Sequence, residues 1–322
     1  MTATEKKPAT SAVILAFATI YVVWGSTYLG IRVAVETIPP FAMASLRFAA
    51  AGAILLAALR FQGAAWPTPR QWRDNAVIGA FLLLGGNGLV AWAEQTVPSG
   101  VTALLIGVQP VFMVLTEWAW PKGQRPNLAM FVGMALGFVG VAWIAAPWQT
   151  VGTQRIDIAG ALAVLAACAL WAIGSIYSRH AKPAAPPFVA AAAQMLCGSV
   201  ALASVALIRG EFTTFHPLAA SARSWWAFTY LVLVGSLVGF STFVWLMKHS
   251  TPARVSTYAY VNPIVAVFLG WLILKEPVSA RTFFGAGIII AAVAIVTTQK
   301  AKAQHAAAAQ TPGPAQPVPA RR

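Results

Sequence analysis

Ten apolar runs follow one another along the 322 residues. Each is close to the ~20 residues that an α-helix needs to cross a bilayer's hydrocarbon core. They predict spans at 12–33, 41–59, 75–97, 99–119, 127–147, 158–178, 188–208, 225–247, 253–274 and 282–299. In lipid the backbone must satisfy its own polar groups, so runs of this length read as helices. Charge agrees. A soluble domain carries about 25% charged residues, whereas here they make up 9%, too few to cover a watery surface. The expected fold class is an all-α polytopic membrane protein of ten transmembrane helices.

The net charge of +14 would suit a nucleic-acid partner, but its distribution assigns it to topology. With ten spans, both termini and the loops after even-numbered spans share one side. That side holds fifteen lysines and arginines, among them Lys6, Lys7, Arg70, Arg73, Lys122, Arg179 and Lys248, against six on the other (Arg32, Arg155, Arg209, Arg223, Lys275, Arg281). This asymmetry places both termini in the cytoplasm, and the expected location is the cell inner membrane. The expected partners are therefore lipid and a small molecule, with no nucleic acid; monomer and homodimer stay open. The first run is too long for a signal-peptide core and is read as a retained span. Residues 1–11 form a cytoplasmic segment, and 300–322, rich in Ala, Pro and Gln, a disordered cytoplasmic tail. Cys168 and Cys197 lie within apolar runs and match neither a disulfide framework nor a metal site. No cofactor and no metal are expected.

The chain also repeats itself. At an offset of 147, Ile38–Phe41 falls on Ala185–Phe188, Trp24 on Trp171 and Arg32 on Arg179. At 153, Trp72 falls on Trp225, Trp92 on Trp245, Gln109 on Asn262 and Pro110 on Pro263. The expected units are 12–148 and 158–299, with five helices each. An odd number turns the second unit upside down, giving two inverted repeats with a site near the midplane between them.

Gln109-Pro110 and Asn262-Pro263 interrupt the fourth and ninth runs close to mid-membrane. A proline removes a donor and frees the carbonyl one turn earlier, that of Ala259 in the ninth run, so Pro110 and Pro263 are candidate hinges. Asn262 and Gln109 either bond a neighbouring helix or face a cavity. The other candidate cavity residues are Trp24, Tyr28, Arg47, Asn87, Trp92, Trp171, Ser175, Trp245, Tyr258 and Tyr260, with Gln194 beside them. Trp24, Tyr28 and Arg32 share one face of the first helix; Arg32 and Arg179, near span ends, are expected to snorkel outward. Arg47 lies deep in the second span, where an ionisable group needs a partner: Glu94, or a substrate carboxylate. Glu94 and Glu117 are candidate proton-coupling acids, and no catalytic group is expected.

Together "WGSTY" (24–28), "LRFAAAG" (46–52), "GNG" (86–88), "VPSG" (97–100) and "TYAYVNPIVAV" (257–267) resemble the EamA branch of the drug/metabolite transporter superfamily over residues 12–299. The resemblance implies two inverted five-helix repeats, alternating access and export of amino acids, related metabolites or drugs. Arg47 and Glu94 fall where the family pattern carries those residue types. Glu276 falls where it often has an acid; its counterpart in the first repeat is Gly123, and no transport role is expected for it. The expected function is a secondary transporter that is not an enzyme, exporting amino acids or related metabolites, with proton coupling as its drive. The alternatives are a cationic-drug exporter, an intramembrane enzyme and a ligand sensor. No phosphate-binding "GxxxxGK[ST]" loop and no "HExxH" or "GxSxG" pattern occurs.

Overall fold

The computed structural model describes residues 8–121, 123, 125–145, 150–151, 154–155, 157–181, 185–250, 252–255, 257–276 and 278–309. Its longer helices are α1 (Thr10–Ala34), α2 (Pro40–Phe61), α3 (Pro69–Ala93), α4 (Ser99–Ala119), α5 (Leu128–Ala145), α6 (Ile158–His180), α7 (Pro187–Ile208), α8 (Ala222–His249), α9 (Tyr258–Leu274) and α10 (Ala280–Ala309). Among the described residues, eight helices are long and apolar enough to cross a membrane, and two shorter apolar helices lie within α5 and α9. Outside the helices, Thr150–Val151 pairs antiparallel with Gln154–Arg155.

Local chemistry sets the helix starts. Pro40 and Pro187 open α2 and α7, where a missing donor is no loss. Thr68 and Gln71 close a capping box at α3. Asp157 caps α6 and Ser221 caps α8. The capping box starts α3 at Pro69, six residues before its expected span, and so draws Arg73 and Asp74 into the helix. At the other end of the chain, the expectation of disorder is corrected over 300–309, where α10 runs on to Ala309. Alanine and lysine are strong helix formers, and they dominate 300–309. Residues 1–7 and 310–322 lie outside the described set.

Helix neighbours recur when each helix is exchanged for the one five places on. α2 packs on α7, α5 on α10 and α4 on α9; α1 packs on α8 and α9, as α6 does on α3 and α4; α3 packs on α7, as α8 does on α2. Each half has a widened segment in its third helix, π-helical over Ala80–Gly88 in α3 and Leu231–Phe240 in α8. The apolar pattern did not reveal these segments, since a π turn keeps the composition of an α turn and changes only the hydrogen-bond register.

The two proline breaks differ. α4 is interrupted at Gly107–Val108, and Gln109-Pro110 open its second part. In α9 Pro263 sits inside continuous helix, and the position matching Gly107 is Tyr260. The two proline segments still face one another: a methyl at Gly107 would lie 3.8 Å from the carbonyl oxygen of Ala259.

Candidate functional site

Trp24 of α1 and Trp171 of α6 meet edge to face, 5.6 Å between ring centroids. Phe243 of α8 and Tyr258 of α9 complete the cluster, at 4.9 and 5.1 Å from Trp24. The two indoles are seated alike. A methyl at Gly86, in the π segment of α3, would meet Trp171 at 2.6 Å, and one at Gly239, in that of α8, would meet Trp24 at 2.8 Å. Gly86 and Gly239 stand 153 residues apart and the tryptophans 147, so each half rests its tryptophan on the other half's glycine.

Two cavities flank this cluster. The smaller, about 70 Å³, is lined by Asn87, Gln109, Cys168, Trp171 and Tyr258 with small apolar neighbours. Four of these five are candidates from sequence; Cys168, which matches neither a disulfide nor a metal pattern, is the fifth. Gln109 is buried and its Nε2 meets no acceptor, so it carries unused hydrogen-bonding capacity beside the cavity. The larger, about 330 Å³, lies where α3 and α7 begin and α6 and α8 end; Asp74, Asn75, Ser175, Arg179, Gln194, Phe243 and Lys248 are on its walls. Phe243 faces the larger cavity while Trp171 and Tyr258 face the smaller, which makes the aromatic cluster the partition between them.

Asn262 has the other role open to it. With its amide nitrogen turned toward them, it donates to the carbonyls of Tyr258 and Tyr21 at 3.2 and 3.1 Å, tying α9 to α1. Tyr28 is buried against it. The Tyr260 side chain lies outside the described residues. Trp92 packs half-buried into the core. Trp245 stacks on His249 at 4.3 Å. Neither of these two tryptophans lines either cavity.

Arg47 and Glu94 form no ion pair. Arg47 Nε donates to Ser236 Oγ of α8 at 2.7 Å, and the guanidinium stands 4.7 Å from the Phe48 ring centroid. Gly235 makes room for it, since a methyl there would be 3.0 Å from the guanidinium. Glu94 is 0% exposed and neither carboxylate oxygen meets a donor. Its backbone carbonyl is taken by Arg32, so Arg32 turns inward instead of snorkelling: the last turn of a helix leaves carbonyls without partners, and a guanidinium is a strong donor. At the opposite end Arg179 and Glu117 pair at 3.5 Å, both partly exposed, which gives Glu117 a structural neighbour.

Two acids act where sequence reading expected nothing. Glu276, beyond α9, accepts from Ser99 N and Oγ at 2.9 Å each and from Gly100 N at 3.1 Å, capping the start of α4. Glu211 accepts from Ala42 N at 2.8 Å at the start of α2. A helix start presents unpaired donors and a partial positive charge, but which acid reaches it across so many residues is a tertiary fact.

A family model described as the EamA-like transporter family matches residues 10–146 and 158–298. The uncharacterized inner membrane transporter YedA of Escherichia coli (strain K12) is 37% identical over 283 residues, covering 87% of this chain and 89% of that one. The uncharacterized transporter YvbV of Bacillus subtilis (strain 168) is 27% identical over 303 residues, covering 92% and 94%. One crystal structure superposes with a TM-score of 0.64 at 22% identity, over 92% of this chain and 100% of that one, a likeness of fold alone.

Proposed function

The chain belongs to the EamA-like transporter family, and from its standing as a membrane transporter we propose that it is a secondary active transporter working by alternating access. The supporting observation is the pair of cavities that have one aromatic cluster on their walls, Phe243 on the larger and Trp171 and Tyr258 on the smaller. A volume of about 70 Å³ holds roughly two waters at ~30 Å³ each, far below the ~300–1,000 Å³ of ordinary ligand sites. The smaller cavity therefore has to expand to take cargo, and moving Trp24, Trp171, Phe243 and Tyr258 apart expands it toward the larger one. The protein lies in the inner membrane, as the name of the related YedA states of that protein, with ten spans in two inverted repeats at 12–148 and 158–299. The larger cavity then opens to the cytoplasm, the lysine- and arginine-rich side. Cargo enters there and leaves on the far side, which is export.

The cargo is an amino acid or related small metabolite. The neutral amide, hydroxyl and aromatic groups of Asn87, Gln109, Tyr258 and Trp171 suit a small polar body with a modest apolar part. Glu94, fully buried with neither carboxylate oxygen hydrogen-bonded, is the proton-coupling group. The four-ring cluster favours one second reading, a cationic-drug exporter, since ring faces attract cations.

Counterflow in proteoliposomes tests this reading, with labelled amino acids and cationic drugs run in parallel, each with and without an imposed proton gradient. Trapping of amino acids is the expected result, and trapping of cationic drugs alone selects the second reading. Folded protein that traps neither overturns both.

A further inference from the structure

The larger cavity has a chemistry of its own that the sequence did not disclose. Asp74, 5% exposed, lies on its wall. Every described hydrogen bond to its carboxylate falls on one oxygen: Arg73 Nε and Nη2 donate to Oδ1 at 3.1 and 2.9 Å, and the Tyr177 hydroxyl donates to it at 3.3 Å. Oδ2 takes none among the described residues. Beside it a relay of amides fixes a second acceptor. Asn75 Nδ2 donates to the Gln71 carbonyl at 2.8 Å, which leaves Asn75 Oδ1 to accept from Gln194 Nε2 at 3.0 Å. That bond settles the orientation of the Gln194 amide. Its Oε1, on a side chain 4% exposed, meets no donor, and neither does Ser175 Oγ from α6. Three oxygens from three helices, one of them anionic, thus border one cavity with hydrogen-bonding capacity unused. Buried acceptors left this way are costly unless something supplies donors. Lys248 and Arg179, the latter paired with Glu117, also line this cavity.

We propose that this cavity is an entrance subsite that binds a primary ammonium group, with Asp74 Oδ2, Gln194 Oε1 and Ser175 Oγ as its acceptors. An ammonium is a compact cation with three rotatable donors, one for each oxygen. For a zwitterion, the carboxylate end lies toward Arg179 and Lys248. The subsite rests on the transporter reading above, to which it adds a loading step before the aromatic partition opens.

Binding to the purified full-length protein, without membrane gradient or flux, separates the two ideas. Three probes share one aromatic body: phenethylamine carries the ammonium alone, phenylalanine both charges, and hydrocinnamate the carboxylate alone. Phenethylamine and phenylalanine are expected to bind the wild type, and Asp74→Asn is expected to weaken both by about tenfold or more. Hydrocinnamate, lacking the group that Asp74 reads, loses no affinity. Equal binding of phenethylamine to wild type and Asp74→Asn overturns the subsite, as does a wild type that binds neither amine. If Asp74→Asn does not fold, Arg73→Gln decides instead. Removing the exposed guanidinium that shares Oδ1 is expected to tighten phenethylamine several-fold, and unchanged affinity overturns the proposal. Ammonium binding that depends on Asp74 but leads to no flux in proteoliposomes defeats the transport reading and leaves the subsite standing. Flux without Asp74 dependence does the reverse.

Discussion

A guanidinium within a membrane protein needs an acceptor and room, and Arg47 receives both from α8. Ser236 accepts its Nε proton and the bare backbone of Gly235 admits the rest of the group. A residue held this way contributes first to stability. Arg47→Met is expected to cost about 1.5–3 kcal/mol, the worth of a hydrogen bond to a charged donor, seen as a lower midpoint in thermal unfolding. Binding of carboxylate-bearing and cationic ligands should fall alike, and a selective loss of the carboxylate-bearing ones would return Arg47 to the cargo. Glu94 is the opposite case. Its carboxylate has no hydrogen bond to lose, so Glu94→Gln should leave the protein at least as stable. The same variant is expected to keep counterflow and lose uptake driven by a proton gradient. Gradient-driven uptake at wild-type rates would remove Glu94 from coupling. Both residues stood out in the sequence because an ionisable group deep in an apolar run is conspicuous. Asp74 did not, because it falls one residue before an expected span, outside any apolar run. Only the capping box that starts α3 early, and the meeting of Asn75 with Gln194 across 119 residues, make it part of a wall.

At the scale of the element, α4 is held from outside itself. Its first turn has no side-chain cap of its own, and Glu276 supplies the missing acceptor from beyond α9. Gly270 is what lets the carboxylate lie there, since a methyl at that position would be 2.5 Å from Oε2. Glu276→Gln keeps the shape but removes the charge, and the start of α4 and the end of α9 should part more often. In a chain with Cys168 and Cys197 replaced, a cysteine at buried Thr102 should then react several-fold faster with a membrane-impermeant thiol reagent. Equal rates in both backgrounds would show that Glu276 caps α4 without restraining it. The element lengths were legible because apolar composition records them. The break in α4 was legible as a proline. Its exact seat was not, because glycine at Gly107 and tyrosine at the matching Tyr260 decide where a proline-weakened helix yields.

At the scale of the molecule, the exchange of neighbours between halves carries down to single contacts, Gly86 under Trp171 and Gly239 under Trp24. Gly86→Ala and Gly239→Ala should therefore be twin lesions, each destabilising by about 1–3 kcal/mol through overpacking. Because both indoles belong to one cluster, the double variant should lose less than the sum. Thermal unfolding of the three variants checks this, and strictly additive losses would mean that the two seats act apart. The repeat itself was readable from paired tryptophans and prolines. The gathering of those tryptophans into one partition was not, since periodicity says which face a residue occupies and nothing about what meets it.

Glu276, the acid that caps α4, has no twin. By the repeat, its counterpart is Gly123, which has no side chain to offer, so this contact has no equivalent at that position in the first repeat. Two inverted halves with matched contacts throughout would make the two opposite-facing conformations equal in free energy, each populated half the time. Losing a single charge-assisted bond of about 1.5–3 kcal/mol on opening one side shifts that balance by roughly ten- to a hundredfold. In the alternating-access reading proposed above, a resting molecule would then favour the conformation shut toward the outside and open toward the cytoplasm, and part of the preference for picking up cargo within the cell would come from one position that the repeat leaves unmatched.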